Sequence, residues 1–323
     1  MKPYNSHFLG FDFINKTAGK NYMPPLEYAQ QVTQIEEIHQ CPLCGSQRYI
    51  VIGKFQIDAL VDQWVERYGF NPIPDVYQGK IFEKRRCCEC DLSYYNYHLH
   101  DDEDLYKRLA KTHYYPTFRS EYGVATEILQ KLKPETLLEI GCGNGAFLDR
   151  IQHMIPMVMG SEYNTNAAKE CQQRGLNVRT EDISTINIPI DVVCHFEVLE
   201  HVFDTKKLMH DTLWLLNPGG KLIIGTPDPD GILSVNGTGV LHLPPHHQFD
   251  FSKQTFEWLA EKYNLNLVDY RKTELTYHHY ANYVKNLTGM PLIQPDMIGL
   301  YIFSGFHKNQ SCPVVSVAFR SDF

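Results

Sequence analysis

Four cysteines near the start of the chain form two pairs of the metal-binding type. Cys41 and Cys44 are separated by two residues, and Cys87 and Cys90 repeat this spacing. Two such pairs can hold one Zn²⁺ ion tetrahedrally between four thiolates, which leaves no open coordination position. We therefore expect a structural ion that staples a small module. The pairs lie further apart than in common zinc ribbons, so a helical insertion is predicted between them. Cys88 is expected to be a bystander, the alternative being that it replaces one ligand; free thiols or a redox pair are the alternatives to zinc.

A glycine-rich turn follows a strongly apolar run in the middle of the chain. Gly141 and Gly143 come directly after Leu137–Ile140. Glycines let the backbone turn tightly and approach a ligand, and the start of the next helix offers free N–H groups to it. With Ala146 the turn also satisfies the dinucleotide pattern G-x-G-x-x-G/A, with Glu162 about 20 residues later. The turn alone thus permits both a nicotinamide dinucleotide and S-adenosylmethionine.

The residues around this turn resemble those of class I S-adenosylmethionine-dependent methyltransferases. In that family an acidic residue precedes the glycine turn, as Glu139 does here, and another ends the second strand, as Glu162 does. The segments His195–Val202 and Leu216–Leu222 resemble the end of the fourth strand and the turn into the fifth. The resemblance covers roughly Leu137–Tyr270 and implies a Rossmann-like, doubly wound α/β sheet of seven strands, the last inserted antiparallel.

The same resemblance implies a set of residues that bind S-adenosylmethionine. Glu162 would accept hydrogen bonds from the ribose hydroxyls, because ionised carboxylates are strong acceptors. Asp182 would accept from the adenine amino group, and Ile183 would pack against the ring. The full set implied for cofactor binding is Glu139, Gly141, Gly143, Asn144, Gly145, Phe147, Glu162, Tyr163, Asp182, Ile183, His195, Phe196 and Glu197.

The cysteine region extends the resemblance toward the N-terminus. Cys41–Ser46, Arg86–Leu92 and Tyr114–Pro116 resemble bacterial methyltransferases with an amino-terminal zinc-binding module. Those enzymes include ones that act on sugar nucleotides or other small metabolites, but they differ in substrate, so the resemblance implies only the reaction class. Our leading hypothesis is O- or C-methylation of a small-molecule acceptor, such as a sugar or sugar nucleotide. The sequence departs from the family at Lys272–Cys312, which is predicted to be an insertion.

Two adjacent histidines are the candidates for proton transfer. Methyl transfer is an in-line displacement whose rate depends largely on positioning, but a hydroxyl or amine acceptor must also lose a proton. His246 and His247 follow the predicted fifth strand, at the edge where open α/β sheets bind ligands. We predict one of them as general base, the alternative being a hydrogen bond within the loop. Glu200 and His201 are predicted to organise the loop after the fourth strand.

Alternating apolar runs and helical stretches predict a parallel sheet from Thr136 onward. The predicted strands are Thr136–Ile140, Met157–Glu162, Asn177–Arg179, Ile190–His195, Lys221–Gly225, Leu265–Arg271 and Pro313–Arg320. The predicted organisation is an arm at 1–40 with a helix at 26–39, a zinc-ribbon-like module at 41–100 with a helix at 57–65, linker helices at 101–135, and the methyltransferase domain at 136–323 with an insertion at 272–312 and a helix at 280–287. Three tryptophans are predicted to be core residues, namely Trp64, Trp214 and Trp258.

Charge and composition narrow the function classes. Lys and Arg total 30 against 38 Asp and Glu, and the net charge of −8 has the wrong sign for a protein that neutralises phosphates. No apolar stretch approaches the roughly 20 residues that cross a membrane, and residues 1–7 carry no signal-peptide pattern, so we expect a cytoplasmic protein without a membrane partner. The alternatives are an RNA methyltransferase and a non-catalytic S-adenosylmethionine-binding protein, with a dehydrogenase as a weaker hypothesis.

Overall fold

The computed structural model of the chain describes residues 32–99, 103–112, 114–115, 117–230, 240–274 and 296–304. Its strands are β1 (Tyr49–Gln56), β2 (Ile81–Cys87), β3 (Ser93–Tyr95), β4 (Thr136–Ile140), β5 (Met157–Ser161), β6 (Val178–Arg179), β7 (Ile190–Phe196), β8 (Leu216–Pro227), β9 (Phe249–Asp250), β10 (Asn266–Glu274) and β11 (Asp296–Ser304). Its α-helices are α1 (Ile57–Tyr68), α2 (Glu103–Ala110), α3 (Ser120–Leu132), α4 (Ala146–Ile151), α5 (Thr165–Gln173), α6 (Thr205–Leu215) and α7 (Lys253–Lys262).

The larger sheet has seven strands in the order β10-β11-β8-β7-β4-β5-β6. The five strands β4 to β8 run parallel, and β11 pairs antiparallel with both β8 and β10. Parallel strands need both faces covered, which explains why their apolar runs are nearly continuous. The predicted Rossmann-like sheet with one inserted antiparallel strand is therefore confirmed.

The inserted strand comes from a different segment than the one predicted. Asp296–Ser304 forms it, within the range 272–312 that the sequence assigned to an insertion. The predicted strand Pro313–Arg320 and the predicted helix at 280–287 lie outside the described residues. Apolar alternation alone does not say which of two late apolar runs enters the sheet, because both have strand composition.

The smaller sheet joins the cysteine region to the rest of the molecule. Its order is β1-β2-β3-β9, all antiparallel, and β9 comes from the loop after β8. The arm packs here too, since Glu37 bridges to Tyr97 and the Ile38 N–H donates to the Asn96 carbonyl at 2.8 Å. The predicted helix at 26–39 is therefore wrong for residues 32–39, the part that the structure describes.

Four apolar clusters support these sheets in the part of the chain that the structure describes, and two of them include residues of the N-terminal region. One continues from Cys41 and Tyr94 in the smaller sheet to Leu138 and Leu222 in the larger one. The other lies within the N-terminal region, around the fully buried Trp64. Trp258 packs partly buried against the first core, whereas the core prediction for Trp214 is wrong because its side chain is 58% exposed on α6. Among the described residues, no helix is long and apolar enough to cross a membrane.

Candidate functional site

A cavity of about 620 Å³ opens at the carboxyl ends of β4, β5 and β7. This edge is where parallel α/β sheets bind ligands, because loops from neighbouring strands diverge there. The residues lining the cavity are Tyr106, Tyr114, Tyr115, Ile140, Gly141, Ser161, Glu162, Tyr163, Thr180, Glu181, Asp182, Ile183, Glu197, Val198, His201, Val202, Phe203, Asp204, Lys207, Leu208 and Asp211.

The glycine turn after β4 reaches the cavity at Gly141. Gly141 has φ +68°, and a Cβ there would come within 2.5 Å of Val198. Gly143 has φ +52°, and a Cβ there would come within 2.9 Å of the Tyr115 ring. Both positions need glycine for conformation and for space, and of the two it is Gly141 that lines the cavity.

Glu162, at the end of β5, is held by the backbone. Its carboxylate accepts hydrogen bonds from the N–H groups of Gly143 and Asn164, each at 2.7 Å. Burial raises the pKa of this carboxyl, and the backbone donors oppose that shift. The contacts fix an acceptor against the glycine turn, at the place where the family resemblance puts the ribose.

Asp182 and Ile183 line the outer side of the cavity. The Asp182 carboxylate accepts from the Ser184 N–H at 2.9 Å, and this bond lowers its pKa. Lys207 on α6 approaches it with an Nζ–Oδ2 distance of 3.3 Å. Asp182 is therefore an ionised acceptor beside an apolar side chain, which suits an amino-bearing ring.

Glu197 begins the loop after β7 in the left-handed region, with φ +56°. Its carboxylate lies 3.6 Å from Arg119, which also lies 3.8 Å from Glu121. Burial raises the pKa of Glu197 to about 8, while the Arg119 charge opposes the shift. A non-glycine residue with positive φ is costly, and such residues often stand at functional sites.

Several residues of the predicted cofactor set lie away from the cavity lining. The Glu139 carboxyl is buried, and burial holds its pKa well above the usual range. His195 is fully buried in β7, neither ring nitrogen has a hydrogen-bond partner among the described residues, and burial lowers its pKa to about 3. The other predicted residues outside the lining are Gly143, Asn144, Gly145, Phe147 and Phe196. Of the predicted set, the structure brings Gly141, Glu162, Tyr163, Asp182, Ile183 and Glu197 together at the cavity.

The candidate bases His246 and His247 lie behind the cavity wall. His246 Nδ1 is 2.7 Å from the Leu241 carbonyl, so this nitrogen donates, and Nε2 accepts from the Tyr114 hydroxyl at 2.8 Å. His201 Nδ1 donates to the His246 carbonyl at 2.5 Å. Burial lowers the pKa of His246 and of His247 well below the usual range. Tyr114 and His201 therefore stand between these two histidines and the cavity.

Aromatic residues from before the sheet are the part of the site that sequence reasoning missed. Tyr106 on α2 and Tyr114 and Tyr115 after it line the cavity together with Phe203. Tyr115 also receives a hydrogen bond from the Asn164 amide at 3.2 Å. The Tyr114–Pro116 motif was a signal for this wall, but nothing in its spacing says that it reaches the glycine turn.

The four predicted zinc ligands meet at one point. The Sγ atoms of Cys41 and Cys90 are 3.5 Å apart, those of Cys44 and Cys87 are 3.4 Å apart, and all four lie within 4.8 Å of one another. A Zn–S length of about 2.3 Å puts tetrahedral thiolates about 3.8 Å apart, so the set fits a zinc ion. Cys88 is exposed and stands outside the group.

Comparison with known proteins decides the family. A sequence profile described as a methyltransferase domain matches residues 114–270, the part that holds the glycine turn and the five parallel strands. Residues 114–270 are a class I methyltransferase domain. The match begins at Tyr114 and therefore takes in Tyr114, Tyr115 and α3.

Curated relatives of the methyltransferase domain carry the same class of name. A probable S-adenosylmethionine-dependent methyltransferase of Mycolicibacterium smegmatis is 27% identical over 37% of this chain and 48% of its own length. The chain thus spans about half of that relative. A ubiquinone biosynthesis O-methyltransferase of Coxiella burnetii is 28% identical over 47% of this chain and 71% of its own length. Among solved structures, the N-methyltransferase NodS of Bradyrhizobium japonicum, in complex with S-adenosyl-L-homocysteine, has a TM-score of 0.46 and 17% identity, covering 63% of this chain and 98% of that one.

Proposed function

We propose that this chain transfers the methyl group of S-adenosylmethionine to a small-molecule acceptor by O- or C-methylation. The observation that carries the proposal is the cavity at the carboxyl edge, which places Gly141, Glu162 and Asp182 around one space. Bound there, S-adenosylmethionine supplies a sulfonium methyl group and leaves as a thioether. Glu162 would accept from the ribose hydroxyls, Asp182 from the adenine amino group, and Ile183 would cover the ring.

The acceptor would lie at the aromatic end of the cavity. The Tyr106 ring centroid lies 6.2 Å from that of Tyr114 and 6.1 Å from that of His201, and all three residues line the cavity. An oxygen acceptor loses a proton as its bond to the methyl carbon forms and the bond from sulfur breaks. His246 and His247 remain the proposed proton acceptors, with Tyr114 connecting His246 to the cavity through its hydroxyl.

An RNA acceptor is less compatible with the contacts around the cysteines. Three cations, Lys84 to Arg86, precede Cys87, and two of them are paired within the fold. Lys84 lies 2.5 Å from Asp250, and Arg85 lies 2.9 Å from Glu83. Arg85 also donates to the Ile38 carbonyl at 2.7 Å. Cations paired within the fold contribute little to phosphate neutralisation. These contacts support a small-molecule acceptor. The convergence of the four thiolates supports a structural Zn²⁺ ion at the cysteines.

Calorimetric titration with S-adenosylmethionine tests the cofactor assignment, with a nicotinamide dinucleotide as the competing ligand. We expect the first to bind and the second not to. Glu162→Ala should weaken binding at least tenfold, because it removes a fixed acceptor of two hydroxyls. The matched control is Glu170→Ala, an exposed carboxylate on α5 outside the cavity. Equal affinity of Glu162→Ala and the control would refute the assignment.

A further inference from the structure

A second group of metal-ligand side chains lies behind the acceptor end of the cavity. One ring nitrogen from each of His201, His246 and His247 lies within 4.8 Å of the others, and all three residues are buried. The Glu200 carboxylate joins them, with Oε1 at 3.9 Å from His201 Nε2 and at 4.0 Å from His247 Nε2. We propose that these four residues bind a divalent first-row transition-metal ion such as Zn²⁺.

The Glu200 carboxylate is the first independent support. Its side chain is 1% exposed, and neither oxygen has a hydrogen-bond partner among the described residues. A buried polar group without a partner is costly and calls for an explanation. An ion held between Oε1 and the neighbouring imidazoles would satisfy it. Ligand atoms on a tetrahedral ion with bonds of about 2.0–2.2 Å are about 3.3–3.6 Å apart. Ion binding would therefore shorten the two distances from Glu200 by about 0.3–0.7 Å and draw together the histidine nitrogens, which lie within 4.8 Å of one another.

The orientation of two imidazoles is the second support. His201 Nδ1 donates to the His246 carbonyl, and His246 Nδ1 donates to the Leu241 carbonyl. Metal-binding histidines usually donate their other ring N–H in this way, which fixes the tautomer and leaves the Nε2 lone pair for the ion. The Tyr114 hydroxyl now donates to His246 Nε2, the position that an ion would take over.

The backbone holds the two ligand-bearing loops together. The N–H groups of Gln248 and Phe249 donate to the Glu200 carbonyl at 2.8 and 3.2 Å. Phe249 then enters the smaller sheet as part of β9. Glu200 and His201 on one loop and His246 and His247 on the other are therefore fixed relative to each other before any ion binds. Preorganised ligands of this kind favour tight metal binding.

The position of the site indicates the class of acceptor, and this step rests on the methyl transfer proposed above. His201 lines the cavity beside Tyr106 and Tyr114, so an ion bound by His201 would lie directly behind the acceptor end. Metal coordination lowers the pKa of a bound hydroxyl. Zn²⁺ can expand to five ligands, so an acceptor hydroxyl would bind as the fifth one. Its proton would go to solvent, because the ion occupies the lone pairs with which His246 and His247 would otherwise accept it, and its oxygen would take the methyl group. The site thus favours acceptors that bear a metal-binding hydroxyl.

Titration of the chelator-stripped full-length chain with Co²⁺ under reducing conditions tests the metal site. We expect two equivalents, of which only one shows the charge-transfer absorption of thiolate ligands. Glu200→Gln and His247→Asn should each weaken the second equivalent by at least about 100-fold and keep the thiolate band. The matched control His153→Asn, at an exposed histidine, should keep both. A single equivalent in the unmodified chain, or a second equivalent that persists in both variants, would overturn the proposal.

Parallel titration with S-adenosylmethionine separates this inference from the proposed function. Normal cofactor binding without a second Co²⁺ equivalent would reject the metal site alone. A second equivalent without cofactor binding would reject the proposed function and leave the metal site standing. If a variant fails to fold, the number of Co²⁺ equivalents that the unmodified chain binds still tests the metal site. The thiolate band and the cofactor affinity report independently whether each protein is folded.

Discussion

The cysteine cluster and the histidine cluster differ in how their ligands are brought together. The cysteines come as two local pairs, each on one short turn: Cys41 with Cys44, and Cys87 with Cys90. In the histidine cluster, Glu200 and His201 follow β7, whereas His246 and His247 precede β9. The cysteines lie beside the smaller sheet, which has four strands, and the histidine cluster lies at the edge of the larger sheet, which has seven.

The two clusters should therefore contribute differently to the stability of the fold. Cys41, Cys87 and Cys90 are themselves part of the core that continues into the larger sheet, so an ion there holds core residues in place. The histidine cluster stands on loops at an edge whose core consists of apolar strand residues. Loss of the ion from the cysteines should therefore unfold the cysteine region. Loss of the ion from the histidine cluster should leave the larger sheet folded.

Removing one thiolate has the largest expected effect. Cys90→Ser should abolish zinc binding, and with it on the order of 10 kcal/mol of metal-binding free energy that is coupled to folding. Thermal unfolding should show the N-terminal region melting first, as it should for the unmodified chain in the presence of a chelator. Cys88→Ser is the matched control, because that thiol is exposed and outside the group. Equal melting of the two variants would show that the cysteines hold no structural ion.

Truncating the aromatic core tests whether the ion alone holds the N-terminal region. Trp64 is fully buried between Tyr68 and Phe70, with ring centroids at 5.2 and 6.0 Å. Trp64→Ala should cost about 3–5 kcal/mol in the free energy of unfolding, measured with denaturant. Trp214→Ala provides the comparison at an exposed tryptophan and should change stability by less than about 0.5 kcal/mol. A small cost at Trp64 would mean that the ion dominates the region's stability.

The same contrast explains what the sequence predicted. Local patterns were enough for the cysteine pairs, the glycine turn and the strands from Thr136 to Phe196, because each depends on neighbouring residues. Local patterns do not predict which distant segments of the chain contact each other. Spacing cannot show that Tyr114 donates to His246, or that β9 completes the smaller sheet, since these contacts depend on how the loops fold back. For the same reason, His195 was predicted at the cofactor but lies inside β7.

Acid should act on the sheet through His195, a buried histidine outside both clusters. Burial lowers its pKa in the folded state to about 3, whereas in the unfolded chain it has the ordinary value of about 6.5. The unfolded state alone takes up the proton between these values, so stability falls as the pH decreases from about 6.5 toward 3. Because of this residue, the free energy of unfolding should be about 2 kcal/mol lower at pH 5 than at pH 7.5.

His195→Leu should remove this loss of stability at low pH, because leucine does not take up a proton. An apolar side chain also suits a site that offers no hydrogen-bond partner among the described residues. Urea unfolding at pH 7.5 and 5 measures the effect as a growing stability advantage of the variant. His153→Leu, at an exposed histidine, should follow the unmodified chain at both pH values. Parallel pH dependence of all three proteins would mean that His195 is protonated in the folded state.

The smallest expected effect distinguishes the metal-free from the metal-bound histidine cluster. In the metal-free chain the Tyr114 hydroxyl donates to His246 Nε2 at 2.8 Å, so Tyr114→Phe should cost about 1 kcal/mol in the free energy of unfolding. An ion bound at the cluster takes the same lone pair, and the cost of the substitution should then largely disappear. Denaturant unfolding of both proteins, with and without a saturating second Co²⁺ equivalent, measures this coupling. An unchanged cost in the presence of the metal would mean that His246 keeps its tyrosine partner and is not a ligand, which would reduce the site to Glu200, His201 and His247.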